Sequence, residues 1–271
     1  MLAEHHPHAG RRVRTLIDMT SAVRGNDSNS PVIELRGLSH RYDTELVLRD
    51  VNLTIGTGEI FGFLGHNGAG KTTAVNILTT LIAPTSGSAT VCGFDVVTER
   101  DQVTRNIGYL PSEVRMYGHM TAAENLEFFA KLSGVAQPRK AVAETLDYLD
   151  CADLADKRVG SFSTGMRQRI GIAQAIVHRP QVLFLDEPTA GLDPLGVRQL
   201  RETILRLNRD LGMTVFMNTH LLTEVAKVCT TIGVLNHGEL IYKDSIAETT
   251  RRFPNEASLE DIYVRMEGAP A

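Results

Sequence analysis

The chain has 271 residues, 42% of them hydrophobic and 22% charged, with a formal net charge of −4. That length accommodates one large domain or two small ones with a sizeable core, and the mildly acidic balance excludes a basic footprint, so a nucleic acid is not the expected main partner. No run approaches the roughly 18 apolar residues of a membrane-spanning helix, and no apolar leader with a cleavage site opens the chain, which predicts a cytoplasmic protein unless a partner carries it to a membrane. Cys92, Cys151 and Cys229 are isolated, with no C-x-x-C spacing, and read as small core residues rather than a disulfide framework or a zinc site.

Residues 1–30 carry no sustained apolar period and are expected to form a flexible tail, in which His5, His6 and His8 read as a solvated start and Met19 as an alternative initiator. A domain is expected over 31–245. It begins with two strands, 32–35 and 51–55, alternating like half-buried antiparallel strands, followed by the apolar strand 59–64. Gly65-His66-Asn67-Gly68-Ala69-Gly70-Lys71-Thr72-Thr73 comes next and leads into a helix through Leu78. Further strands are expected at 88–92 and 107–110.

An inserted helical block follows over about 112–165. Thr121 to Glu124 is a capping box opening a helix with Leu126, Phe129, Ala130 and Ser133 on one face, and the Phe128-Phe129 pair reads as core. Pro138 opens a second helix with Val142, Leu146 and Leu149 at helical spacing. Strand and helix then alternate: helix 164–178, strand 182–185, helix 194–211 and strand 214–217. Apolar strands between helices predict a parallel sheet covered on both faces. Two strands around His237-Gly238 follow, and a short helix starting at Ser258 lies in a C-terminal tail, 246–271.

The nonapeptide from Gly65 fits G-x-x-x-x-G-K-[ST] at every constrained position, and the flanking strand and helix are where that motif requires them. Backbone N–H groups and a helix N-terminus converge there on a polyphosphate; Lys71 is expected on the β- and γ-phosphates and the Thr72 hydroxyl on Mg²⁺. The strand 182–185 runs into Asp186-Glu187, two carboxylates at the carboxyl edge where open α/β sheets bind ligands. Asp186 is expected to hold Mg²⁺ through its water shell and Glu187 to polarise the attacking water. His220, at the end of the next strand, reaches the same edge as a γ-phosphate sensor. Bound ATP with Mg²⁺ is the implied chemistry.

With these motifs the chain resembles the nucleotide-binding subunits of ATP-binding cassette (ABC) transporters, over about residues 32–243. The resemblance rests further on Ser161-Phe162-Ser163-Thr164-Gly165-Met166-Arg167-Gln168-Arg169, similar to the signature L-S-G-G-Q-x-Q-R, and on Ala190-Gly191-Leu192-Asp193, similar to the D-loop. It implies a P-loop NTPase of α/β class with a RecA-like parallel sheet, an N-terminal antiparallel β-subdomain and an inserted helical signature subdomain. It also implies that Tyr42 stacks on adenine and that Ser163, Thr164, Gly165 and Met166 close on the nucleotide of a second subunit, as in a homodimer. Thr164 and Met166 replace the usual glycine and glutamine, and Ser112, with Glu113 beside it, stands where the Q-loop glutamine is usual. The segment 114–120, with Arg115, Tyr117 and His119, is where the family docks a membrane partner. The Gly165-Met166 pair and Leu110-Pro111 before the Q-loop position resemble bacterial exporter subunits, which implies ATP hydrolysis energising export through a separate permease at the cytoplasmic face of the membrane. The alternative is a soluble ABC ATPase acting on a ribosome, DNA or another macromolecule.

Overall fold

Two residues, Asp43 and Thr44, separate β1 (Ile33–Tyr42) from β2 (Glu45–Ile55), and Asp43 takes a left-handed φ of 48°, a conformation a short polar side chain tolerates, so the strands fold back as an antiparallel pair. In this computed structural model, which describes residues 31–254 and 256–267, that pair extends through β4 (Ser86–Val91) and β5 (Phe94–Asp95) into a four-stranded antiparallel sheet of order β2-β1-β4-β5. The tail 1–30, with its histidines and Met19, lies outside the described residues.

The second sheet runs β10-β9-β3-β8-β7-β6 and is parallel except for its edge strand β10. Its strands are β3 (Ile60–Leu64), β6 (Ile107–Leu110), β7 (Val182–Asp186), β8 (Thr214–Asn218), β9 (Thr231–Asn236) and β10 (Glu239–Ser245). Every residue of β3, β7 and β8 is buried, as apolar runs covered on both faces require. Alternate residues serve two cores. Phe61, Phe63, Phe184 and Phe216 face the antiparallel sheet, with ring centroids 5.3–6.0 Å apart. Ile60, Leu64, Leu183, Leu185 and Val215 face the helical block.

Helix α1 (Lys71–Leu78) packs Ala74, Val75, Ile77 and Leu78 into the same core as Leu38, Leu48 and Val91 of the antiparallel sheet, so the element that follows the phosphate loop is gripped between the two sheets. A short α2 (Arg100–Asn106), not expected from the sequence, leads into β6.

The helical block contains α3 (Ala122–Leu132), α4 (Pro138–Tyr148), two 3-10 turns (Ala152–Leu154 and Val159–Ser161) and the start of α5 (Thr164–Ile176). The Thr121–Glu124 capping box is present in full. Two expectations for α3 are corrected. Its buried face is Ala122, Asn125, Leu126 and Ala130, while Ser133 is the exposed C-cap. Phe128 is 36% exposed and Phe129 half-buried, so the pair belongs to the surface and not to the core: helical spacing places both beside the core stripe without deciding what covers them. Helix α5 ends two residues earlier than its pattern suggested.

Helix α6 (Pro194–Leu211) has its expected bounds, because Asp193 caps its start, accepting from Gly196 N at 2.7 Å, and Gly212 closes it at φ 64°. Short helices α7 (Leu222–Val228), α8 (Ile246–Arg252) and α9 (Leu259–Glu267) complete the described residues; Ser258 Oγ accepts from Asp261 N at 3.2 Å at the start of α9. Among the described residues no helix is long and apolar enough to cross a membrane, and no group of three or more His, Cys, Asp and Glu is gathered as a metal site. Cys92, Cys151 and Cys229 are buried and free, and burial pushes the Cys92 and Cys229 thiols up to about 12, leaving both protonated and inert.

Candidate active site

Strands β3, β8 and β7 are neighbours in the sheet, and their carboxyl ends deliver Gly65, Thr219 and Glu187 to one edge. The loop leaving β3 turns through Gly68 at φ 88° and Gly70 at φ 105°, values that side chains of L-residues rarely adopt. A Cβ on Gly65 would lie 2.5 Å from Leu235 O, and one on Gly70 would lie 2.8 Å from both Leu48 Cδ2 and Val47 O, so both glycines are demanded by packing against β9 and β2. At Gly68 a Cβ would meet nothing within 4 Å; there it is the backbone turn that requires glycine. The Lys71 ammonium, 6% exposed, donates to Gly65 O at 2.6 Å and His66 O at 3.0 Å and so points into its own loop. The first-turn amides of α1 have no intrahelical acceptors, which makes the loop and helix together a concave set of donors suited to phosphate oxygens. Ala69 closes the loop, donating to His66 O at 3.1 Å; Asn67 is exposed, and Thr73 is buried behind the loop. His66 Nδ1 lies 2.8 Å from Asn67 O, and its ring lies 5.0 Å from that of His237 on the β9–β10 turn.

Asp186 ends β7 opposite Asn218 of β8. Its Oδ1 is buried without a hydrogen-bond partner, and the Thr72 hydroxyl belongs to an exposed residue in the first turn of α1. An unpaired buried carboxylate oxygen and a hydroxyl are hard oxygen donors, and this set fits Mg²⁺. Burial first, and then the nearby Asp186 charge, push the Tyr109 phenol up to about 12, so it stays a neutral group beside that carboxylate.

Glu187 takes a left-handed φ of 47°, which turns its side chain off the end of the strand. Its Oε2 lies 2.8 Å from His220 Nδ1, with side-chain exposures of 21% and 60%. A partly shielded carboxylate held against an imidazole is an arrangement that can take a proton from water. The structure therefore unites the phosphate loop, Asp186, Glu187 and His220 at one edge.

The remaining expected residues lie on β1, at the starts of α5 and α6, and after β6. Tyr42 ends β1, 46% exposed, with its ring edge-on to His40 at 4.6 Å. Ser163 caps α5 through Met166 N at 3.3 Å, and Thr164 and Ser163 are exposed while Gly165 and Met166 are half-buried. The Thr164 methyl lies 3.5 Å from where a Cβ on Gly191 would stand, so the segments expected as signature and D-loop lie close together within one chain. Asp193 is the cap of α6. Ser112 is exposed after β6, and Glu113 pairs with Arg115 at 2.8 Å on the surface, so Glu113 is not brought to Asp186 and Glu187.

Four residues at or near the site escaped the sequence reading. Asn218 accepts from Glu187 N at 2.9 Å, Gln168 of α5 donates to Pro188 O at 2.7 Å in a buried bond, and Tyr109 lies beside Asp186. Asn125, fully buried, accepts from Tyr117 N at 2.9 Å and donates to Tyr117 O at 3.1 Å and Thr121 O at 2.9 Å, pinning the loop 114–120. The available signal was a polar residue on an otherwise apolar face, at Asn125 and at the end of β8. Tyr117, 45% exposed, meets Phe128 at 5.3 Å and His119 at 6.2 Å edge-on and stacks on Phe129 at 6.5 Å, forming an exposed aromatic patch.

Residues 48–190 match the family described as ABC transporter. The chain is 41% identical over 242 residues to the ABC transporter ATP-binding protein NatA of Bacillus subtilis, covering 87% of this chain and 97% of the relative. It is 35% identical over 227 residues to the bacitracin transport ATP-binding protein BcrA of Bacillus licheniformis, covering 83% and 74%. The linearmycin resistance ATP-binding protein LnrL of Bacillus subtilis is 35% identical over 212 residues, covering 78% and 68%. Among solved structures, an ATP-binding subunit of an ABC transporter aligns with a TM-score of 0.77 at 28% identity over 87% of this chain and 99% of that one. A dimeric bacterial ABC transporter cassette, MJ0796, aligns with a TM-score of 0.70 at 27% identity, over 79% and 98%.

Proposed function

The chain belongs to the ATP-binding proteins of ABC transporters, and on that premise we propose that its site hydrolyses ATP to drive export through a separate membrane-spanning permease. It is an ATPase of the transporter class. The bacitracin and linearmycin proteins among its relatives make antibiotics the first class of cargo to test.

In this reading the loop amides from His66 to Thr73 and the Lys71 ammonium bind the β- and γ-phosphates, and Tyr42 stacks on the adenine. The Thr72 hydroxyl, and Asp186 through the water shell, would hold Mg²⁺, which would supply charge neutralisation on those phosphates. Glu187 accepts the proton of the attacking water, and His220 holds the Glu187 carboxylate through Nδ1 and so orients that water beside the γ-phosphate. Ser112 occupies the Q-loop position, while the Glu113 carboxylate is engaged by Arg115. The cap at Ser163 leaves the N-terminal amides of α5 facing outward, where Thr164, Gly165 and Met166 meet the nucleotide of a second copy, with Asp193 beside them. ATP then shifts the population toward the closed pair, because only that state supplies the second set of contacts.

The exposed patch of Arg115, Tyr117, His119 and Phe128 is the surface offered to the permease, which places the chain on the cytoplasmic face of the membrane through that partner. The observation that carries the catalytic reading is the 2.8 Å contact between Glu187 and His220 on the strand ends beside the phosphate loop. The test is steady-state ATP turnover by the purified chain with and without Mg²⁺, compared with Lys71→Ala. Metal-dependent turnover lost in Lys71→Ala supports the reading; turnover that survives the substitution overturns it.

A further inference from the structure

The backbone of Glu187 is held in an unfavourable conformation by a residue from the neighbouring strand. A non-glycine residue at φ 47° persists only where its surroundings over-determine it. The Glu187 amide is bifurcated between Asn218 O at 3.1 Å and Asn218 Oδ1 at 2.9 Å, so one residue supplies both acceptors. Asn218 is fully buried. Its Nδ2 has no hydrogen-bond partner, and neither has Oδ1 of Asp186, its register partner on β7. An amide group buried with its donor end unsatisfied carries a desolvation cost, which an apolar residue at this position would avoid. The acceptor end is the part in use.

The geometry points to Asn218 as a positioning residue for Glu187. Its side-chain oxygen fixes the left-handed turn that aims the Glu187 carboxylate at His220, at the place where water must be deprotonated. The inference rests on the reading of Glu187 as the general base. Asn218 touches neither phosphate nor water in this role; it acts by holding the peptide before the Glu187 side chain, and a misplacement of about 1 Å at a reacting group costs on the order of 10²-fold in rate.

The test is a double-mutant cycle on the full chain, measuring kcat, the KM for ATP and equilibrium nucleotide affinity for Asn218→Ala, Glu187→Gln and the pair. The expected result is a loss of about 10²-fold in kcat for Asn218→Ala, with KM and affinity near those of the unmodified chain. In the Glu187→Gln background the same substitution then removes nothing further, because there is no base left to aim. Asn218→Ser, whose hydroxyl can still accept from the Glu187 amide, recovers part of the rate, and it carries the comparison if the alanine variant does not fold. An unchanged kcat in Asn218→Ala, or an equal fractional loss in both backgrounds, overturns the inference. Undiminished turnover in Glu187→Gln alone overturns the base assignment instead, so the two failures are distinguishable.

Discussion

Replacing Glu187 by glutamine separates binding from chemistry at this site. The amide is isosteric with the carboxylate and can still hydrogen-bond to His220, now 2.8 Å from Oε2, so the strand end and its left-handed turn are expected to survive. What disappears is the ability to accept a proton. Loss of a positioned general base costs about 10²–10⁴-fold in rate, equivalent to roughly 2.7–5.4 kcal/mol of transition-state stabilisation. None of the phosphate-loop groups is altered, because Lys71 and the glycines are held by β3, β9 and β2. The assay is steady-state phosphate release together with ATP affinity from fluorescence titration and association state from light scattering. The expected outcome is turnover reduced by that factor, ATP affinity retained and an ATP-dependent pair that persists. Turnover equal to that of the unmodified chain would refute the reasoning.

Replacing His220 by alanine removes one hydrogen bond to a charged group, worth about 1.5–3 kcal/mol, and is expected to slow hydrolysis by roughly 10–10²-fold with little change in ATP affinity; phosphate release measured alongside nucleotide binding checks it. Phe216 lies within 5.3–5.4 Å of Phe61, Phe63 and Phe184, so Phe216→Ala should lower unfolding free energy by about 3–5 kcal/mol, read from the shift of the urea midpoint. The double variant Arg115→Ala/Tyr117→Ala changes exposed groups, so stability should move by less than about 0.5 kcal/mol and ATP affinity should hold while permease capture is lost. Retained capture would remove the patch from the docking surface.

The parts of the fold legible in the sequence were those whose signal is local. The strand 182–185 and its two following carboxylates, the phosphate loop between an apolar strand and a helix, and helix α6 between Asp193-Pro194 and Gly212 all carry their own punctuation. Helices α2, α7 and α8 were not legible, because seven residues give barely two turns and no sustained period. Phe128 and Phe129 were misread for a different reason: helical spacing fixes a face but does not say whether solvent, core or a partner covers it. Within the site, Glu187 and His220 were visible as residues ending apolar strands. The support that Asn218 gives Glu187 was not, since it depends on the register of β7 against β8 across 31 residues of chain. Gln168 bonding to Pro188 and Asn125 bonding to Tyr117 likewise arise only when distant segments meet.

The measurement that bears most directly on the central claim is capture of the Glu187→Gln chain with ATP from detergent-solubilised native membranes, followed by identification of what co-purifies. A polytopic membrane protein retained by Glu187→Gln, and lost when Arg115 and Tyr117 are also replaced, is the predicted result. Ribosomes, DNA-associated proteins or no membrane protein at all would contradict the account.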